Sequence, residues 1–229
     1  MKVKVISYSK PTEEFIDDTG LESLTDLIAF CARVSNPSNQ NNSKTTDKLI
    51  AYLLEHKHFS PLEMASCTME VETTRDIARQ MLRHRSFSFQ EFSQRYANPQ
   101  DMDDSFELRD ARLQDPVNRQ NSIPVDINND EHRFLMTQWE QMQNNVIDAA
   151  KNAYDWAIAN GIAKEQARAV LPEGNTKSRL YMAGTIRSWI HFIELRSANG
   201  TQQEHMDIAI AIAKAISKVF PLAEEYITE

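Results

Sequence analysis

Five arginines stand between positions 75 and 95 (Arg75, Arg79, Arg83, Arg85 and Arg95), together with His84, Ser93 and only two acids, Asp76 and Glu91. The chain around them carries a formal net charge of -8, so this stretch is a local reversal of sign. A guanidinium is a planar fork of N–H donors that matches phosphate or carboxylate oxygens two at a time. Arg83, Arg85 and Arg95, with the Ser93 hydroxyl between them, therefore suit an anionic, planar ligand. The plainer alternative is a solvated helix face whose arginines pair with acids or water.

Sequence pattern says what must position these groups. Ile77, Ala78 and Met81 make an apolar face while Arg75, Arg79 and Arg83 recur every four residues, which predicts a helix with Arg83 at its end. The following SFSFQEFSQRY alternates at Phe87 and Phe89, slips at Phe92 and holds no sustained period. It reads as a loop pinned by aromatics. Upstream, Ala65, Cys67, Met69 and Val71 alternate with Ser66, Thr68 and Glu70, predicting a strand over 65–71 that feeds the helix.

The other elements follow from the same periods. Val3 and Val5 against Lys2 and Lys4 predict a half-exposed strand over 1–7; Leu24, Leu27, Ile28 and Cys31 predict a helix within 21–34. Asn36 opens a polar loop, and a second helix runs from near Ser43 to His56. It leads into the turn His58-Phe59-Ser60-Pro61-Leu62-Glu63, in which His58 reads as a capping or surface side chain. Residues 97–130 are poor in apolar side chains and broken by Pro99, Pro116 and Pro124, a long connection with a short strand expected at 106–108. Over 130–160, Leu135, Trp139, Met142, Val146, Ala149, Ala153 and Trp156 recur at steps of three and four. That helix would span about 45 Å, and packing on another subunit and a single bent core helix are both open. A short helix over 163–171, a strand over 178–185 and the helix IRSWIHFIELR come next. Thr201-Gln202-Gln203-Glu204 has the pattern of a capping box opening the last helix. With no internal repeat, the expected architecture is α+β: one mixed domain over 1–229, with a small, largely antiparallel sheet and several long helices, assembling through helices.

Composition excludes several function classes. Hydrophobic residues at 41% and charged residues at 25% are ordinary for a globular chain, and no apolar run approaches the roughly 18 residues of a membrane span. MKVKVISYSK has no signal-peptide core, so the expectation is a cytoplasmic protein with no membrane partner. Overall acidity argues against a general nucleic-acid binder, which needs broad phosphate neutralisation, whereas a small anion needs only a pocket. Cys31 and Cys67 lie among apolar neighbours without a CxxC or nearby histidine, so they read as buried thiols and no metal site is expected.

Arg83-His84-Arg85, seven residues, Ser93, one residue and Arg95 closely resemble the signature R-H-R-x7-S-x-R of the flavin-dependent thymidylate synthases. The likeness extends to His58-Phe59-Ser60-Pro61, Ala78-Arg79-Gln80, Ala167-Arg168-Ala169-Val170-Leu171-Pro172 and Arg187-Ser188-Trp189 with Arg196. The resemblance implies an enzyme that makes dTMP from dUMP with methylenetetrahydrofolate as carbon donor, NADPH as reductant and FAD as cofactor. It implies that dUMP is held by Gln80, Met81, Leu82, Arg83, Glu91, Phe92, Ser93, Gln94, Arg95, Arg168 and Arg196. Ser60, Arg83, His84, Arg85, Glu91, Thr185, Ile186, Arg187 and His191 would meet the flavin, and His58 would lie near the folate. Members of that family are homotetramers with shared sites.

The implied chemistry can be set against the residue types present. Uracil C5 is a poor nucleophile; a cysteine adding to C6 needs an accessible thiolate, which neither cysteine promises. Hydride delivery from reduced flavin to C6 needs no protein nucleophile, leaving orientation and charge stabilisation to the protein. The resemblance gives Arg196 the catalytic part, favouring the ionised base, and Ser93 reads as a phosphate ligand. Two positions depart from the family pattern: Thr185 stands where many relatives have Asn, and Gln94, where many have Gly, crowds the phosphate loop. Two other readings compete: a nucleic-acid module stacking bases on Phe87, Phe89, Phe92 and Tyr96, and a non-catalytic helical oligomer joined by arginine ion pairs.

Overall fold

The computed structural model describes residues 1–102 and 105–228. Its centre is a four-stranded sheet in the order β1 (Lys2–Tyr8), β2 (Ser66–Thr74), β6 (Lys177–Thr185), β3 (Ser88–Glu91), antiparallel at every pairing. The remaining strands, β4 (Arg112–Gln114) and β5 (Ser122–Pro124), form a separate antiparallel pair. Helices α1 (Glu13–Thr19), α2 (Leu24–Ala32) and α3 (Thr46–Glu55) precede β2, and α4 (Arg75–Met81) follows it directly. Then come α5 (Asp130–Ala159), α6 (Lys164–Ala167), α7 (Ile186–Ser197) and α8 (Gln203–Ile216). The architecture is α+β, as the alternating and helical periods predict.

The alternation in β2 buries Cys67, Met69 and Val71; β6 turns Leu180 and Met182 the same way, and α7 and α8 close over them with Trp189, Phe192, Ile208 and Ile212. Trp189, wholly buried, satisfies its indole N–H on the Cys67 carbonyl at 3.0 Å. β2 and β6 pair over their full length, from Ser66 opposite Thr185 to Thr74 opposite Lys177. At their ends β2 enters α4 and β6 enters α7, so this register sets how the two arginine-bearing helices stand to each other.

Several expectations are corrected. The stretch after Arg85 is not wholly loop: Ser88–Glu91 is an edge strand on β6, and the Phe87/Phe89 alternation was its signal. At 106–108 there is only an isolated bridge, Phe106 to Thr176, and the 97–130 connection carries the β4–β5 pair instead; residues 103 and 104 of that connection lie outside the described residues. Helix α1 was not anticipated, although Thr12 caps its start and Gly20, at φ 70°, its end. No capping box forms at Thr201–Glu204. Gln202 is the cap residue and its side chain caps no backbone N–H, while the Glu204 carboxylate is taken by Arg109 at 3.2 Å. On α5 the buried positions are Gln143, Ile147, Ala150, Tyr154 and Ala157, while Leu135, Trp139, Met142, Val146 and Trp156 are exposed. The apolar stripe read from the sequence is therefore real and faces away from this chain's own core.

Candidate active site

Three segments carry the basic groups. The start of α4 is held to the end of β6's approach by Arg75 N–H on the Thr176 carbonyl at 2.9 Å. Beyond Met81 the chain turns, with His84 N–H on the Met81 carbonyl and Phe87 N–H on the His84 carbonyl, which leaves Arg83 and Arg85 exposed. The Phe87 ring then packs onto β6 so closely that a Cβ on Gly184 would stand 2.4 Å from it, and only glycine fits there. α7 begins two residues after Gly184, directly behind its cap Thr185, whose hydroxyl accepts from Ser188 N–H at 3.3 Å.

Two of the cavities hold residues that the sequence points to. One, of about 440 Å³, is lined by Phe59, Glu63, Ser86, Arg187, Ser188, Ile190, His191 and Glu194. In it Arg187 is paired with Glu63, and Phe59 and Ile190 supply apolar wall. The other is a cleft of about 390 Å³ lined by Arg75, Arg79, Gln94, Glu165, Arg168, Ala169, Leu171 and Glu173. Glu91 tethers its floor, accepting from the Ser178 hydroxyl at 2.9 Å and lying 3.5 Å from Arg75 and 3.9 Å from Arg79. Arg79 also meets Glu173, and Arg95 meets Glu165, each at 3.2 Å. Burial lowers the Arg75 pKa, with Glu91 opposing, yet a guanidinium keeps its charge.

Gln94 is turned inward, 3% exposed, and its amide nitrogen has no partner among the described residues. An amide N–H buried without an acceptor is costly, so a side chain expected to crowd the loop is instead a spare donor in the arginine cleft.

Arg196 belongs to a third cluster. Its Nε donates to His84 Nε2 at 2.8 Å, and Phe192 packs against the His84 ring at 4.8 Å. Burial first, then the charge of Arg196, pushes the His84 pKa down to about 4, so His84 is a neutral acceptor at ordinary pH. Gln80 lies nearby in the network, donating to Gln202 Oε1 at 2.8 Å and facing His205 Nδ1 at 3.2 Å.

The structure thus gathers Arg187, His191 and Ser86 in one cavity, Gln94 and Arg168 in another, and His84 with Arg196 in a third place. Met81 and Ile186 are fully buried, so their side chains face the core and only their backbone is available to a ligand. Leu82 and Phe92 are half-buried; Ser93 serves its own turn, accepting from Arg95 N–H at 3.4 Å. Ser60 and His58 are exposed near Phe59, and His58 sits in an aromatic group with Tyr52 and His56. Arg75 and Arg79 stood in the sequence pattern without a role, and Glu63, Gln202 and His205 were not singled out. The i, i+4 arginine ladder pointed to the first two; the others meet their partners only through the fold.

The base-stacking alternative loses its platform: Phe87 is buried, Phe89 and Phe92 are half-buried, and of the four aromatics only Tyr96 is open, at 77%. Among the described residues no group of three His, Cys, Asp or Glu is placed to hold a metal, and no helix is long and apolar enough to cross a membrane.

Residues 16–222 match the family model for thymidylate synthase complementing protein. The chain is 46% identical over 221 residues to the probable flavin-dependent thymidylate synthase of Paramecium bursaria Chlorella virus 1, covering 96% of both. It is 45% identical over 222 residues, again 96% of both, to the flavin-dependent thymidylate synthase of Synechocystis sp.. Among solved structures, the UMP/dUMP methylase PolB from Streptomyces cacaoi, bound with 5-Br dUMP, superposes with a TM-score of 0.77 at 26% identity, over 98% of this chain and 93% of that one.

Proposed function

The chain belongs to the thymidylate synthase complementing protein family, and on that premise we propose that it is a flavin-dependent thymidylate synthase, converting dUMP to dTMP with methylenetetrahydrofolate as carbon donor, NADPH as reductant and FAD as cofactor. The observation that carries the reading is Arg196, a cation oriented by a histidine that burial keeps neutral.

The residues fit the groups they would hold. The cavity beside α7 offers apolar wall and an already neutralised arginine, which suits a flat, largely apolar ring. Ser60, Arg83, His84, Arg85, Glu91, Thr185, Ile186, Arg187 and His191 would hold FAD, with His58 toward the folate. The arginine cleft, with its spare Gln94 donor, suits a phosphate; Ser93, Gln94, Arg95 and Arg168 would take it, while Gln80, Met81, Leu82, Arg83, Glu91, Phe92 and Arg196 complete the dUMP site. When bound, the flavin supplies hydride chemistry to the uracil ring, which requires no protein nucleophile.

This chain's own thiols agree with that division of labour. Cys67 is buried and its pKa is pushed up to about 11, and burial raises that of Cys31, so neither is a ready thiolate. Arg196 stabilises negative charge on the uracil edge, and His84 holds the guanidinium fork by accepting from Nε. Flavin-side and phosphate-side residues line separate cavities within one chain, and α5 presents an uncovered apolar stripe. Both features support a homotetramer whose sites combine subunits.

The test is spectroscopic. Purified protein should show flavin absorbance, bleach with NADPH without oxygen, and recover on adding dUMP and methylenetetrahydrofolate with dTMP as product. Colourless protein that takes up no FAD would refute the reading.

A further inference from the structure

His205 is 0% exposed and stands in the first turn of α8, its ring 5.6 Å from Phe192 and 6.4 Å from His84. Its Nδ1 lies 3.2 Å from Gln80 Oε1. An amide oxygen only accepts, so the proton is on Nδ1 and Nε2 is a bare lone pair. That Nε2 is buried with no partner among the described residues. A purely structural role would be better served by an apolar side chain, which carries no unpaired acceptor. Burial, then Arg196 and His84, push the His205 pKa down to about 3, so the ring is neutral throughout the working range.

The consequence falls on Gln80. Its oxygen is occupied by His205 and one amide hydrogen by Gln202, whose own amide donates to Glu204 at 2.9 Å. Gln202 is exposed to water, whereas the histidine is buried. We propose that His205 is a positioning residue for the nucleotide site: its Nδ1–H fixes the amide orientation of Gln80, so that the remaining N–H of Gln80 is presented to an oxygen of dUMP. This rests on the reading of the chain as a dUMP-binding enzyme with Gln80 in the site.

The experiment is dUMP titration calorimetry on flavin-loaded, full-length protein. His205→Leu should weaken dUMP about tenfold, with flavin absorbance and thermal midpoint held or raised. His205→Asn, whose amide nitrogen stands as many bonds from Cα as Nδ1, should restore affinity to within about twofold of wild type. Unchanged affinity in His205→Leu, or an equal loss in both variants, overturns the assignment. Should the leucine variant not fold, nitrogen-15 histidine spectra of the wild-type protein decide. A neutral His205 ring protonated at Nδ1, with a resonance that moves on adding dUMP, supports the role; a proton on Nε2 or an unmoved signal rejects it. Wild-type protein that takes up flavin but no dUMP overturns the functional reading and the His205 role together.

Discussion

The cavity beside α7 and the arginine cleft both contain guanidinium groups, and they differ in what those groups have left to give. Arg187 in the first is answered by Glu63 and flanked by Phe59 and Ile190. The cleft sets three guanidinium groups (Arg75, Arg79 and Arg168) against Glu165 and Glu173, with Glu91 beside Arg75 and Arg79, adds the spare Gln94 donor, and lets Arg95 occupy Glu165. Neutralised charge beside apolar wall favours a planar ring; surplus donors favour a dianion. Of the five arginines that stand in one stretch of sequence, Arg75 and Arg79 line the cleft and none lines the cavity beside α7, whose arginine, Arg187, comes from a separate segment.

The sharpest way to break this contrast is Arg196→Ala, since Arg196 lines neither cavity. Turnover to dTMP should fall about 10²–10³-fold while flavin remains bound, measured by product assay and by flavin absorbance. Flavin loss in that variant would mean that the two regions are not separable. Next, Arg168→Ala should weaken dUMP by about tenfold to a hundredfold and leave FAD content unchanged, as expected when a charge-assisted hydrogen bond is lost. Equal weakening of both ligands would erase the division between cleft and cavity.

Gly184→Ala should act on the α7 side alone. The added methyl meets the Phe87 ring, and overpacking of this kind costs about 1–3 kcal/mol, read as a lower denaturation midpoint with weaker FAD retention. The smallest effect concerns acid. His84 and His205 have folded pKa values of about 4 and about 3, below the ordinary value of 6.5. Between pH 6.5 and about 4 for His84, and about 3 for His205, the unfolded chain binds protons that the folded one refuses, so this contribution to stability is full above 6.5 and is lost as pH falls. His205→Leu should make the decline of the thermal midpoint shallower across that window; an unchanged slope would show that carboxylates alone set it.

Local pattern made the main strands, α4, α7 and α8 legible, because each has one buried face with a clean period. β3 was lost because four residues at an edge give too few turns of alternation. The stripe on α5 was found correctly, but period cannot say whether a stripe meets its own core or another surface; here Trp156 is 63% exposed. The failed capping box at Glu204 has a different cause, since a carboxylate that suits a helix start suits Arg109 as well. His205 carried no local signal at all, its partner Gln80 being 125 positions away.

The pairing of Ser66 with Thr185 also bears on how the chain emerges from a ribosome. β1 and β2 can form early, but β3 has only β6 to lean on, and β6 is made more than a hundred residues after β2. Until then the buried side of β2 has no cover from α7 or α8. Nascent chains stalled before residue 177 should therefore expose that surface to chaperones and proteases, and shield it only once the second central strand has been delivered.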